Sequence, residues 1–164
     1  MTPEMKQQID KYWDEDEHEK IVQMIMAVPQ NKRDIDMLGQ LVVAYNNLER
    51  YDDAVALSME LKEESKEIIA WYYQVGYAMV YMQEYEKAAA YLNMGMDLVN
   101  KQKDTRLLPH LKDLYIQCLP HLDTIKEKLY VSFTVGPDKA NQYVAFIQKH
   151  GSHIQHLMAG KENA

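Results

Sequence analysis

A single cysteine, Cys118, stands in the chain, so no internal disulfide can form. It lies in an apolar helical stretch, where a buried, inert thiol is expected rather than a nucleophile. Glycine and proline are also scarce, at 6 and 5 residues. A sandwich or barrel needs many tight turns and draws on more of both, so the composition points to helices. Basic residues are outnumbered: 18 Lys and Arg face 25 Asp and Glu, for a formal net charge of -7 and a pI near 5.3. Phosphate recognition gains its affinity from clustered Lys and Arg, and anionic lipid surfaces ask for the same. Nucleic acid and membrane are therefore set aside as partners. No run approaches the roughly 18 apolar residues needed to span a bilayer. The opening Met-Thr-Pro-Glu-Met-Lys-Gln-Gln has no apolar core of a leader peptide, and a cytoplasmic location is expected.

What is present is enough for a core. Hydrophobic residues make up 47% of 164, an ordinary globular share and a length that suits one domain. Internal periodicity decides the reading. Leu48-Glu49-Arg50-Tyr51-Asp52-Asp53-Ala54 recurs as Met82-Gln83-Glu84-Tyr85-Glu86-Lys87-Ala88, one shift carrying Tyr51 onto Tyr85 and Ala54 onto Ala88. The same shift brings Leu38 to Tyr72, Leu41 to Val75, Ala44 to Ala78 and Tyr45 to Met79.

Each unit reads as two amphipathic helices. Leu38, Leu41, Val42, Tyr45 and Leu48 fall at steps of three and four and make one apolar stripe. A break follows at Glu49-Arg50, and Asp52 and Asp53 then supply the acidic first turn that a helix dipole favours. Ala54, Val55, Ser58 and Leu61 carry the second stripe. Tyr72, Val75, Gly76, Met79 and Met82 repeat the first, and Ala88, Leu92, Gly95 and Leu98 the second. Closely crossing helices need small residues at the contact, which Ala54, Gly76 and Ala88 provide. Tyr51 and Tyr85 are placed to wedge between the two helices of their own unit.

In Tyr51-Asp52-Asp53-Ala54, Tyr85-Glu86-Lys87-Ala88 and Gly76 the chain resembles the tetratricopeptide repeat family. It departs from that pattern at Val42, where the family has a small residue, and at Lys66 and Asn100, where the unit usually ends on proline. A degenerate unit precedes the two good ones. Ile9, Tyr12 and Trp13 mark its first helix, and Ile21, Met24, Ala27 and Val28 its second, ending at Pro29. Trp13, Asp16, Lys20-Ile21-Val22, Pro29 and Ala44-Tyr45-Asn46-Asn47-Leu48 further resemble uncharacterised bacterial proteins of this class. The resemblance implies an all-α, right-handed superhelix of stacked antiparallel helix pairs. About three pairs occupy residues 1–103, and residues 104–164 cap the stack within the same domain. In that capping segment Leu111, Leu114, Cys118, Leu122, Ile125 and Leu129 form a long stripe bent at Pro120. Residues 130–135 are β-branched and aromatic, Gly136-Pro137 makes a turn, and Asp138 starts a helix carrying Tyr143, Val144 and Ile147.

Signals for chemistry are weak. His150, His153 and His156 step by threes, but Gly151 interrupts their helix and no acidic fourth ligand is near, so a polar terminal face is expected and no metal. The acidic run Asp14, Glu15, Asp16, Glu17 and Glu19 lacks the spacing and central glycine of a calcium loop and reads as a solvated turn between helices. No phosphate loop, nucleophile elbow or paired-cysteine motif is present, so no cofactor is expected and the chain is read as a binding protein rather than an enzyme.

The resemblance implies a concave surface lined by the first helix of each unit. Carried over by register, that lining is Asp36, Gly39, Gln40, Val43, Asn46 and Asn47, then Ala70, Tyr73, Gln74, Tyr77, Val80 and Tyr81. Tyr73, Tyr77 and Tyr81 share one helical face and could form a stiff amphipathic platform, with Gln40, Gln74 and Asn47 able to bond a peptide backbone. The alternative is that the C-terminal segment folds back and turns the tyrosines into core. Chaperone-tail receptors of this class grip a carboxylate with cationic residues. The matching positions here, Gln40, Ala70 and Gln74, carry no charge, so that role is set aside. The expected function is a protein-interaction module with Gln40, Val43, Asn47, Tyr73, Gln74, Tyr77 and Tyr81 as its binding residues. A homo-oligomer, a homodimer included, built on the eleven methionines and the tyrosines is the competing reading, and an immunity-type toxin-neutralising protein a third.

Overall fold

In a computed structural model, residues 1–122 of the chain are described. The histidines at 150, 153 and 156, the 130–135 stretch, the helix expected from Asp138, and Ile125 and Leu129 lie outside them. Every regular element among the described residues is helical. Helix α1 spans Pro3–Asp14, α2 His18–Met26, α3 Ile35–Asn47 and α4 Tyr51–Glu60. A short α5, Lys62–Ser65, leads to α6, Ile69–Tyr81, then α7, Tyr85–Gln102, and α8, Leu108–Cys118. The helices stack in chain order: α3 packs on α2 and α4, α6 on α4 and α7, and α8 on both α7 and α6.

Local chemistry sets where the helices begin. Thr2 caps α1 by accepting from the Met5 amide at 3.2 Å, and Pro3 occupies the first helical position, where a missing N–H costs nothing. Asp34 caps α3 by accepting from the Met37 amide at 2.9 Å. Its other carboxylate oxygen pairs with the amino group of Met1. The stop after Cys118 follows from Pro120, which sits in a single 3-10 turn, Leu119–His121, instead of bending a longer α-helix.

The same turn joins α1 to α2, α3 to α4 and α6 to α7. Each time the second residue after the helix adopts the left-handed conformation: Asp16 at φ 55°, Glu49 at φ 57° and Gln83 at φ 61°. The next amide reaches back to close a Schellman cap, Glu17 N to Tyr12 O at 2.9 Å, Arg50 N to Tyr45 O at 2.8 Å and Glu84 N to Met79 O at 2.9 Å. An ion pair then spans the first turn of the second helix: Lys20–Glu17 at 3.0 Å, Arg50–Asp53 at 2.8 Å and Lys87–Glu84 at 2.6 Å. From Asp16 to Glu49 the chain runs a single position shorter than from Glu49 to Gln83. The acidic run at 14–19 is thus the first of three equivalent turns, and α2, at 9 residues against 10 for α4, absorbs the missing position.

Packing explains the departure at Val42. In the third pair Gly76 abuts Leu92 so closely that a Cβ built there would lie 2.4 Å from its Cδ2. The equivalent positions one repeat earlier are Val42 and Ser58, both buried, so large and small trade places across the pair. The core divides in two. One cluster, on α1 to α4, includes Ile9, Ile21, Ile25, Leu41 and Ala54 and takes in Ala78 of α6. The other, on α6 to α8, includes Val75, Leu92, Val99, Leu111 and Cys118. Val55 packs against both.

Candidate protein-binding face

Helices α3 and α6 lie side by side, and equivalent polar bonds link α1 to α3 and α3 to α6. Trp13 Nε1 of α1 donates to Gln40 Oε1 of α3 at 2.7 Å. Asn46 Nδ2 of α3 donates to Gln74 Oε1 of α6 at 2.8 Å and to the Gln74 carbonyl at 3.1 Å. The oxygen of each glutamine amide is therefore spent inside the protein, and each amide nitrogen makes no hydrogen bond among the described residues. Asn46 and Val80, read from sequence as lining, are buried instead. They occupy matching positions at the edge of the face, where each helix turns toward its neighbour.

At the N-terminal ends of α3 and α6 the surface opens into a cleft of about 710 Å³. Asp36, Gly39, Gln40, Val43, Ala70 and Gln74 line it, as the register implied. Met1, Lys6, Ile35, Leu61, Ser65 and Ile68, among others, also form its walls and lie outside the lining read from register. Ile35 and Ile68 are 39% and 42% exposed, two of the four large hydrophobic residues among the described residues that face solvent to this extent.

Two residues of the cleft break local rules with no internal compensation. Gly39 sits in the middle of α3, where glycine costs about 1 kcal/mol relative to alanine, yet a Cβ there would meet nothing within 4 Å. Ile68 occupies the N-cap of α6 and makes no side-chain cap bond, whereas its counterpart one repeat earlier is the capping Asp34. The signal for Ile68 is present in the sequence, as an apolar residue where the preceding unit has an aspartate.

Further along α6 the tyrosines gather. Tyr77 lies 4.7 Å from Tyr81 and 6.2 Å from Tyr73, centroid to centroid. Tyr51, at the start of α4, stacks on Tyr81 at 5.3 Å with only 13° between the planes. Besides packing on the cluster that holds its own pair, Tyr51 thus reaches forward to the next pair, and Tyr85 likewise reaches forward to stack on His121 at 3.8 Å. Tyr81 is 53% exposed, while Tyr73, Tyr77 and Tyr51 are half-buried, with Tyr73 and Tyr77 resting on the core. Helix α8 meets the cluster at its Tyr73 end, where His110 lies 6.0 Å away. Burial, ahead of the influence of Tyr81, raises the Tyr73 hydroxyl. Burial pushes the Tyr77 hydroxyl up to about 12, with further contributions from its hydrogen bond to Tyr81 and from the surrounding phenols. For Tyr51 burial comes first, then the negative charge of Glu49. These phenols stay neutral at physiological pH. Asn47 is exposed near the end of α3, with its amide nitrogen bonded to the Val43 carbonyl at 2.9 Å.

Among the described residues no group of three or more His, Cys, Asp or Glu is placed to hold a metal ion, and no helix is long and apolar enough to cross a membrane. The arrangement offers an apolar cleft, amide donors beside it and an aromatic cluster, the features of a surface suited to binding protein. Comparison with protein-family models, curated proteins and solved structures finds no match.

Proposed function

We propose that the chain is a non-catalytic interaction module of the tetratricopeptide type, a right-handed stack of helix pairs whose first helices bind a segment of another protein. The repeated turn with its matching ion pair supports the repeat reading. The observation that carries the functional reading is the clustering of rule-breaking residues at the cleft. Gly39 weakens α3 and leaves open space, Ile68 forgoes a cap and exposes an apolar side chain, and both line the same cleft between α3 and α6. A binding surface sacrifices stability in this way, at one place and with no internal packing to offset it. The tyrosines extend that surface with rigid area that loses little entropy on contact.

Selection of a displayed random-peptide library on the folded chain tests this. Selected peptides should lose ~10-fold or more in affinity for Ile68→Asp and for Tyr81→Lys, because each puts a charge on the contact surface. Peptides that bind both variants as tightly as the parent would place the binding surface elsewhere. Self-association through the exposed Met26, Ile35, Ile68 and Tyr81 is the second reading. A concentration-dependent sedimentation coefficient, abolished by Ile68→Asp, would favour it over a separate ligand.

A further inference from the structure

The charge pattern around the tyrosines bears on which partner chemistry this face would fit. Helix α6 carries no charged residue along its whole length, and α3 carries only Asp36. The edge that borders Tyr51 and Tyr81 is the row of interhelical turns. Its cations are occupied: Lys20, Arg50 and Lys87 each pair with a carboxylate of their own turn. Glu49, Asp52 and Glu86 have no cationic partner among the described residues. Glu49 is close enough to Tyr51 for its charge to act on that hydroxyl. An electron-rich aromatic surface with one open ring, 53% exposed, thus stands beside carboxylates that lack a counter-charge.

We infer that the Tyr51–Tyr77–Tyr81 cluster seats an arginine side chain of a basic segment in the partner protein, with Glu49 as its counter-charge. This rests on the protein-binding reading and deepens it. A guanidinium stacks flat on a tyrosine ring and bonds a carboxylate with its edge, so arginine suits the seat better than lysine does. The net charge of -7 draws a basic segment toward the chain, and α3 and α6, which carry no cation, add no repulsion. The second anchor is the cleft at the other end of α6, where Ile35, Ile68 and Val43 receive an apolar side chain. Ala70 and Tyr81 stand three helical turns apart on one helix. That is about 16 Å along the axis, which an extended segment running beside it covers in about 5 residues. The fitting partner therefore carries arginine and a large apolar residue about 5 positions apart.

Three synthetic peptides of equal length test this on the full chain by NMR titration of the tyrosine ring signals. Each has a Gly/Ser background and one leucine, with Arg-Arg, Lys-Lys or Glu-Glu about 5 positions away. The Arg-Arg peptide should bind tightest, the Lys-Lys peptide ~3-fold weaker, and the Glu-Glu peptide at least ~10-fold weaker. Tyr81→Leu should weaken the Arg-Arg peptide ~5- to 10-fold, while Tyr81→Phe, which keeps the ring, stays within ~2-fold. Glu49→Gln should cost ~3-fold and flatten the salt dependence. Residues 49 and 81 are exposed, and circular dichroism verifies that each variant keeps its helices. Equal binding of the Arg-Arg and Glu-Glu peptides, no binding by any, or full binding by Tyr81→Leu overturns the assignment. The library selection separates this from the underlying reading. Selected ligands that need Ile68 but carry no cation leave the interaction module standing and remove the arginine seat. Selected ligands that ignore the face remove both.

Discussion

Replacing Gly39 and Gly76 by alanine, one at a time, should shift stability in opposite directions. Both residues lie inside helices, so each substitution gains about 1 kcal/mol from the lower backbone entropy of the unfolded chain. At Gly39 nothing opposes that gain, because the new methyl meets no atom within 4 Å. At Gly76 it lies 2.4 Å from Leu92 Cδ2 and 2.6 Å from its Cγ. Leu92 is fully buried and its Cγ is not a free end, so the leucine and the backbone of α7 must give way. Overpacking of this kind costs about 1–3 kcal/mol, enough to reverse the helical gain and leave a net loss of about 1 kcal/mol. The two variants should therefore differ by about 2 kcal/mol in urea unfolding at unchanged m-value, with Gly39→Ala above the parent and Gly76→Ala below. Stabilisation by Gly76→Ala would refute the close crossing of α6 and α7. Destabilisation by Gly39→Ala would show that the cleft is filled in the full chain and end its candidacy as a binding surface.

Ile68→Asp restores the cap that Asp34 gives α3 and should raise stability by about 1 kcal/mol, a rise of about 2–4 °C in Tm by circular dichroism, while lowering affinity for selected peptides. The Tyr77 hydroxyl is raised from 10.0 to about 12 in the folded state, so its contribution is complete below pH 10 and lost as pH rises toward 12. The full shift is worth at most ~2.7 kcal/mol and solvent reaching the ring cuts it to about 1 kcal/mol. Urea unfolding of Tyr77→Phe should show a shallower fall across that window than the parent; parallel curves would mean the phenol is not held neutral by the fold. Trp71→Phe removes the bond from the indole N–H to the Ser58 carbonyl, 2.9 Å long, and part of a buried side chain. A loss of about 2 kcal/mol is expected, and a loss below about 0.5 kcal/mol would argue against that contact.

The helix pairs could be read from the chain because their cause is local. Apolar spacing, acidic first turns and the recurrence of Tyr51-Asp52-Asp53-Ala54 as Tyr85-Glu86-Lys87-Ala88 each act within a few turns of helix. The turn at Asp16 was legible as a turn, but its equivalence to those at Glu49 and Gln83 emerges only from the backbone, since the side chains differ. The lining at Gln40, Val43 and Gln74 followed from register. Asn46 did not, because whether an edge position faces water depends on how near the next helix comes. The forward reach of Tyr51 and Tyr85 is likewise tertiary: the sequence places the ring, while the neighbouring pair decides where it lies. Open space beside Gly39 is a property of everything that fails to fill it, which no single residue encodes.

The divided core has a consequence for how the chain comes apart. With one cluster on α1 to α4, the other on α6 to α8, and Val55 and Ala78 at their junction, the boundary between the two halves runs between α3–α4 and α6. In stacked folds such a seam is where partial opening starts, since each layer is held by its neighbours alone. The cleft straddles that seam. A ligand lying across α3 and α6 would act as a staple, turning two halves that open separately into one unit. Occupancy should then appear as slowed amide exchange throughout α1 to α3, far beyond the residues it touches, and equal exchange with and without ligand would mean that the halves are already fused.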